Sequence, residues 1–120
     1  MKIVKSTRHK SCSDGSTLNV FILDRPVDRD FTDYLKNFGT VRIKELKETF
    51  FSFDKEYFPS IKGLLGDDTV EVRYKKGFSD LTSEYFHLLL YYYHDGKGEV
   101  EKFRRIEETI MKKMEVRIRE

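Results

Sequence analysis

The chain has no tryptophan, a single cysteine and only two prolines among its 120 residues. The lone cysteine, Cys12, excludes an intrachain disulfide and a cysteine-rich zinc site. Two prolines and seven glycines exclude collagen and low-complexity linkers. Long apolar runs are also missing. The longest, Leu88 to Tyr93, is bounded by His87 and His94 and falls far short of the ~20 residues that span a bilayer. The first ten residues carry no continuous apolar segment of the signal-peptide kind. The expectation is a cytoplasmic, soluble protein with no membrane association.

An excess of charge of one sign is absent too. Twenty-three basic and 21 acidic residues leave a net charge of +2. The isoelectric point of about 8.6 falls short of the footprint of a dedicated nucleic-acid binder. Residues 97–120 hold eight Lys/Arg and six Asp/Glu, the pattern of a solvated helix face laced with pairs such as Glu101–Arg105 and Glu108–Lys112.

What is abundant is aromatic surface. Ten Phe and seven Tyr offset the modest apolar content of 38%, because each ring buries about 150–250 Å². That load excludes a disordered chain. At 120 residues, one core and one domain, 1–120, are expected.

Periodicity gives the elements. Lys2 to Lys5 reads as a short strand, and the polar stretch 6–17 as a loop. Val20, Phe21, Ile22 and Leu23 predict a strand buried on both faces. Asp28 fits a helix N-cap. Val27, Phe31, Tyr34, Leu35 and Phe38 form the stripe of the helix that follows, and Gly39 closes it. Val41 and Ile43 alternate against Arg42 and Lys44. Phe51 and Phe53 share one face of the next strand, with Phe50 and Ser52 on the other. Residues 61–75 predict a hairpin turned at Gly66-Asp67-Asp68, with Val70, Val72 and Tyr74 inward and Glu71, Arg73 and Lys75 outward. A helix capped by Ser79 or Asp80 should run to about His94 and close at Gly96. A last helix at about 99–114 carries Val100, Phe103, Ile106, Ile110 and Met114, with fraying beyond it. The order β-β-α-β-β-β-β-α-α predicts an α+β fold with a mainly antiparallel sheet and helices on one face, of a ferredoxin-like or related kind. A β-α-β crossover is expected over 18–46.

Three segments offer chemistry. The loop from Ser11 to Thr17 holds hydroxyls and backbone N–H groups around Gly15. Lys2, Lys5, Arg8 and Lys10 precede it with no acid before Asp14. Lys10, Ser11, Ser13, Gly15 and Ser16 are therefore candidate anion ligands. The segment lacks the P-loop pattern and leads into a strand. Cys12 is a candidate nucleophile, since Lys10 or His9 would favour its thiolate, but no orienting third group is visible. His87 and His94 sit about 10.5 Å apart along a helix, too far to share a metal. Glu84 and His87 form at most a two-ligand fragment, and His94 suits a helix C-terminus. Lys76-Gly77-Phe78 and Gly63-Leu64-Leu65-Gly66 mimic fragments of RNA-binding signatures but read as turns. No catalytic constellation, metal site or cofactor is assigned.

The first functional expectation is a non-enzymatic binding or assembly domain. It would use an aromatic-rich surface or a symmetric homodimer interface at Tyr92 and Tyr93, at the edge of a helix apolar almost all round. The protein partner is unknown. The alternative is a nucleic-acid-binding module whose basic sheet face gathers Lys2, Lys5, Arg8, Lys10, Arg42, Lys44, Arg73 and Lys75. A third reading is an enzyme using the 9–17 loop with Cys12.

Overall fold

A computed structural model describes residues 1–120. Six strands form one sheet: β1 (Ile3–Ser11), β2 (Thr17–Leu23), β3 (Thr40–Glu45), β4 (Thr49–Asp54), β5 (Ser60–Leu64) and β6 (Thr69–Tyr74). Three helices accompany it: α1 (Arg29–Leu35), α2 (Ser79–Tyr91) and α3 (Val100–Arg119). A two-stranded turn, β7 (Tyr93–His94) and β8 (Lys97–Gly98), joins the last two helices.

The sheet order is β1-β2-β6-β5-β4-β3, and every neighbouring pair is antiparallel. The α+β class and the antiparallel sheet agree with the sequence reading. The strand order differs from a ferredoxin-like one: a hairpin, β1-β2, meets a four-strand meander, β3 to β6. β2 and β3 run in the same direction, as a β-α-β unit requires, with three strands between them.

All the helices lie on one face. Phe21, Leu23, Val70, Val72, Tyr74, Ile61, Phe51 and Phe53 point toward them and are buried. The alternation predicted for β6 is therefore correct, and period two explains it. The helix layer is bonded by aromatic edges. Phe58, Tyr85, Phe103, Phe38, Tyr34, Tyr93 and Phe31 form a chain of rings with centroids 4.3 to 5.1 Å apart. Such contacts add to the area that each ring buries. The chain draws on all three helices and on the β4–β5 connection.

One buried polar cluster ties the same elements. Glu107 of α3 accepts from the Tyr85 hydroxyl at 2.6 Å and pairs with Lys55 at 3.1 Å. Lys55 also donates to the Phe38 carbonyl at 2.6 Å. A carboxylate in this position is tolerable because both partners are present.

The differences from the sequence reading have identifiable causes. β1 runs to Ser11, where a loop from residue 6 was expected, so the loop shrinks to a turn over 12–16. β1 is a sheet edge exposed along nearly its whole length, so it carries no apolar alternation to read. Val20 and Ile22 are only half-buried, because the second sheet face is open. The N-cap of α2 is Phe78, with no side-chain cap. Asp80 instead accepts two hydrogen bonds from Arg117, at 2.6 and 3.0 Å. That pair, with Arg117 donating to the Gly77 carbonyl, holds the end of α3, which stays helical to Arg119. Glu101 pairs with Arg104, one residue before the expected Arg105, while Glu108–Lys112 forms as read.

Helix α2 stops at Tyr91 and not at His94. Asp95 and Gly96, both at positive φ, turn the chain back sharply. The Tyr34 ring rests against Gly98, where a Cβ has no room. This turn carries Tyr93 inward, to 1% exposure against Phe31 and Tyr34.

Two outcomes are expected in stability measurements. Val72→Asp should lose at least about 3 kcal/mol in urea melts, since it buries an unpaired charge, and Arg73→Asp less than about 1 kcal/mol. Equal losses contradict the facing of β6. Burial, followed by the nearby Asp28 charge, pushes the Tyr93 hydroxyl up to about 12. Burial, and next the Glu107 charge, also raises Tyr34 and Tyr85. The unfolded chain ionises its tyrosines near pH ~10 while the folded one holds their protons. Stability should thus be intact below that pH and fall as pH rises toward 12, less steeply in Tyr93→Phe. A flat alkaline profile contradicts the burial of these rings.

Candidate functional site

The sheet face away from the helices carries the concentrated charge. Residues directly opposite on adjacent strands share a face, so the registers define rows across the sheet. One row crosses all six strands: Arg8, Val20, Glu71, Lys62, Ser52 and Arg42. A neighbouring row pairs Lys5 with Ile22 and Thr69 at one end, and Leu64 with Phe50 and Lys44 at the other. A third holds Lys10, Leu18, Arg73 and Ser60.

These rows shape an open trough of about 840 Å³, lined among others by Arg8, Val20, Arg42, Lys44, Phe50, Lys62, Leu64 and Glu71. Its two rims are the edge strands β1 and β3, which bring Lys5, Arg8 and Lys10 on one side and Arg42 and Lys44 on the other. Five inter-strand steps place the rims roughly 24 Å apart. Between them the floor mixes Val20, Leu64 and the Phe50 ring, which is 43% exposed, with the polar Ser52, Lys62, Asp67, Thr69 and Glu71.

The electrostatics favour an anion. Arg42 meets Asp54 only at 4.0 Å and Arg73 meets Asp14 only at 3.9 Å, exposed pairs of little strength. Arg8, Lys10, Lys44 and Lys62 have no carboxylate within 4.0 Å. Lys62 stands opposite Glu71 in register, and even these two make no ion pair. On the rims, Lys5, Arg8, Lys10 and Lys44 thus form no ion pair, and Arg42 forms only the long one to Asp54.

Of the basic residues that the sequence grouped on a sheet face, the structure brings together Lys5, Arg8, Lys10, Arg42, Lys44 and Arg73. Lys2 lies on the helix side, beside Leu88 and Tyr91. Lys75 follows the end of β6. Lys62 is an addition. It flanks Gly63 in β5, and only the pairing with β4 and β6 sets it in the middle of the trough.

In the Ser11–Thr17 segment several of the expected anion ligands bond within the segment itself. Lys10 and Ser11 belong to β1. The Ser16 backbone N–H and hydroxyl both donate to the Asp14 carboxylate, at 2.9 and 2.6 Å, and Gly15 N–H donates to the Cys12 carbonyl at 3.0 Å. Those bonds, the hydroxyl's first, hold the Asp14 carboxyl below the usual range. The turn supplies its own anion, and Ser13 remains exposed beside it. Cys12 is half-buried there. His9 is engaged elsewhere, with Nδ1 2.6 Å from the Asn19 side-chain oxygen.

The remaining candidates separate. His87 bonds within α2, to the Ser83 carbonyl at 2.7 Å. His94 lies in β7, past the helix end expected to hold it, and pairs with Glu99 at 3.2 Å. Of the expected Tyr92/Tyr93 edge, Tyr93 is buried in its own chain and Tyr92 is half-buried. Tyr91, at 70% exposure, is the open ring of the three. No helix is long and apolar enough to cross a membrane. In comparisons with known proteins the chain matches no family model, no curated protein and no solved structure.

Proposed function

We propose that this protein is a nucleic-acid-binding domain that acts, without catalysis, through the open face of its sheet. The observation that carries the reading is the trough itself. Arg8, Lys44 and Lys62 line it with no carboxylate partner within 4.0 Å, Arg42 meets Asp54 only at 4.0 Å, and the exposed Phe50 ring lies among them. Phosphate oxygens are the ligands that rows of unpaired Arg and Lys recognise, and an aromatic face between them accepts a base. The net charge of +2 does not oppose this, because the cations are gathered on one face.

Assembly is the second reading, and one observation favours it. Tyr91 and Val4, at 70% and 66% exposure, leave apolar surface near the β1 edge. The edge strand itself discourages sheet-to-sheet pairing. β1 is irregular between Ile3 and Lys5 and between Ser6 and Arg8, and it carries Lys5, Arg8 and Lys10. Bulges and lysines are devices that block edge pairing.

Salt dependence tests the first reading. Four phosphate contacts predict that log K falls with log salt at a slope of about −3, a loss of roughly 50-fold between 50 and 200 mM. Binding of a labelled oligonucleotide should follow that slope, and Arg42→Glu with Lys62→Glu should abolish it while urea melts stay near wild type. Salt-independent binding, or binding unchanged in the double variant, contradicts the proposal.

A further inference from the structure

Resting on the nucleic-acid reading, we infer that the trough takes a single strand, with bases on the floor and phosphates on the rims, and that Glu71 reads a base amino group.

A duplex shows a broad protein face its phosphates and sugars. Laid in this trough, those charged groups would find Lys62 as the one cation on the floor and otherwise meet the carboxylates of Glu71 and Asp67 and the apolar Val20, Leu64 and Phe50, which give a phosphate no partner. Unstacked bases have apolar faces that match such a floor, and the phosphates of the same strand then reach Arg8 on one rim and Lys44 on the other. A span of roughly 24 Å between the rims suits about four nucleotides, the short end of single-strand sites.

Glu71 makes the second argument. Its carboxylate is exposed near the centre of the trough, opposite Val20 on one side and Lys62 on the other. With no ion pair to Lys62 within 4.0 Å, its oxygens are free to accept. An acid there repels a phosphate. It accepts well from the exocyclic amino group of cytosine, a pairing open to carboxylates. In a duplex one hydrogen of that amino group is engaged in base pairing and the other lies within the major groove, whereas a single strand laid base-down presents both to the carboxylate.

The experiment compares four probes by fluorescence anisotropy at about 50 mM salt. They are a 12-residue oligodeoxycytidylate, an oligothymidylate of the same length, a mixed-sequence single strand and its duplex. The mixed single strand should bind at least about tenfold tighter than the duplex. Phe50→Ala should weaken single-strand binding at least about fivefold, the low end of base stacking, and leave the duplex unchanged. Phe50→Leu, which keeps apolar volume, should share that loss. The cytidylate should exceed the thymidylate at least about threefold, and Glu71→Met should erase that ratio while far-ultraviolet circular dichroism stays native. Duplex binding as tight as single-strand binding, or a Phe50→Leu variant that binds like wild type, overturns the single-strand assignment and leaves the nucleic-acid reading standing. Equal cytidylate and thymidylate affinities overturn the role of Glu71. If none of the four probes binds, the broader reading falls as well.

Discussion

Three helices on one side of a six-stranded sheet impose the constraint on which everything else depends. The helices bury one face of every central strand behind linked aromatic rings, and none of the elements over 1–120 lies on the other face. A sheet covered on one side must be stabilised from that side alone. This accords with how many of the 17 aromatics lie in the helix layer, and with the buried Glu107 and Tyr85 being completed by the half-buried Lys55. The uncovered face is then free to be polar, and its rows of Arg and Lys place the charge.

Net charge conceals this arrangement. A balance of +2 describes a chain in which many of the acids are held on helices and turns, while Glu71 and Asp67 line the open face. Asp80 holds Arg117, Asp14 fills its own turn, and Glu45 binds Arg29 at the helix side of β3. The open face keeps Lys5, Arg8, Lys10, Lys44 and Lys62 without ion pairs. Of these, Lys5, Arg8 and Lys10 line the β1 edge, where lysines and bulges disfavour pairing with another sheet.

Strong alternation made β6, β4 and β3 readable from the residues, including the placement of Phe50 away from Phe51 and Phe53. The stripe Val27, Phe31, Tyr34, Leu35 and Phe38 likewise located α1. Edge strand β1 was not legible beyond Lys5, because a strand bare on both sides has no hydrophobic period. Lys62 could not be assigned to the site, since its position depends on register with β4 and β6 and not on local pattern. Tyr93 seemed an exposed edge because the helix was read to His94; the reversal at Asp95 and Gly96 turns the ring inward. Glu107 looked like one more solvated acid of α3, and only the approach of Lys55 from a distant loop makes it a core residue.

The most direct measurement of the central claim is amide chemical-shift mapping of the labelled protein during titration with a short single-stranded oligonucleotide. The account predicts shifts concentrated at Arg8, Val20, Arg42, Phe50, Lys62 and Glu71, across all the strands that carry them, with the outer surface of α3 and the 12–16 turn unmoved. Shifts confined to the helix layer, or centred on that turn, would contradict it.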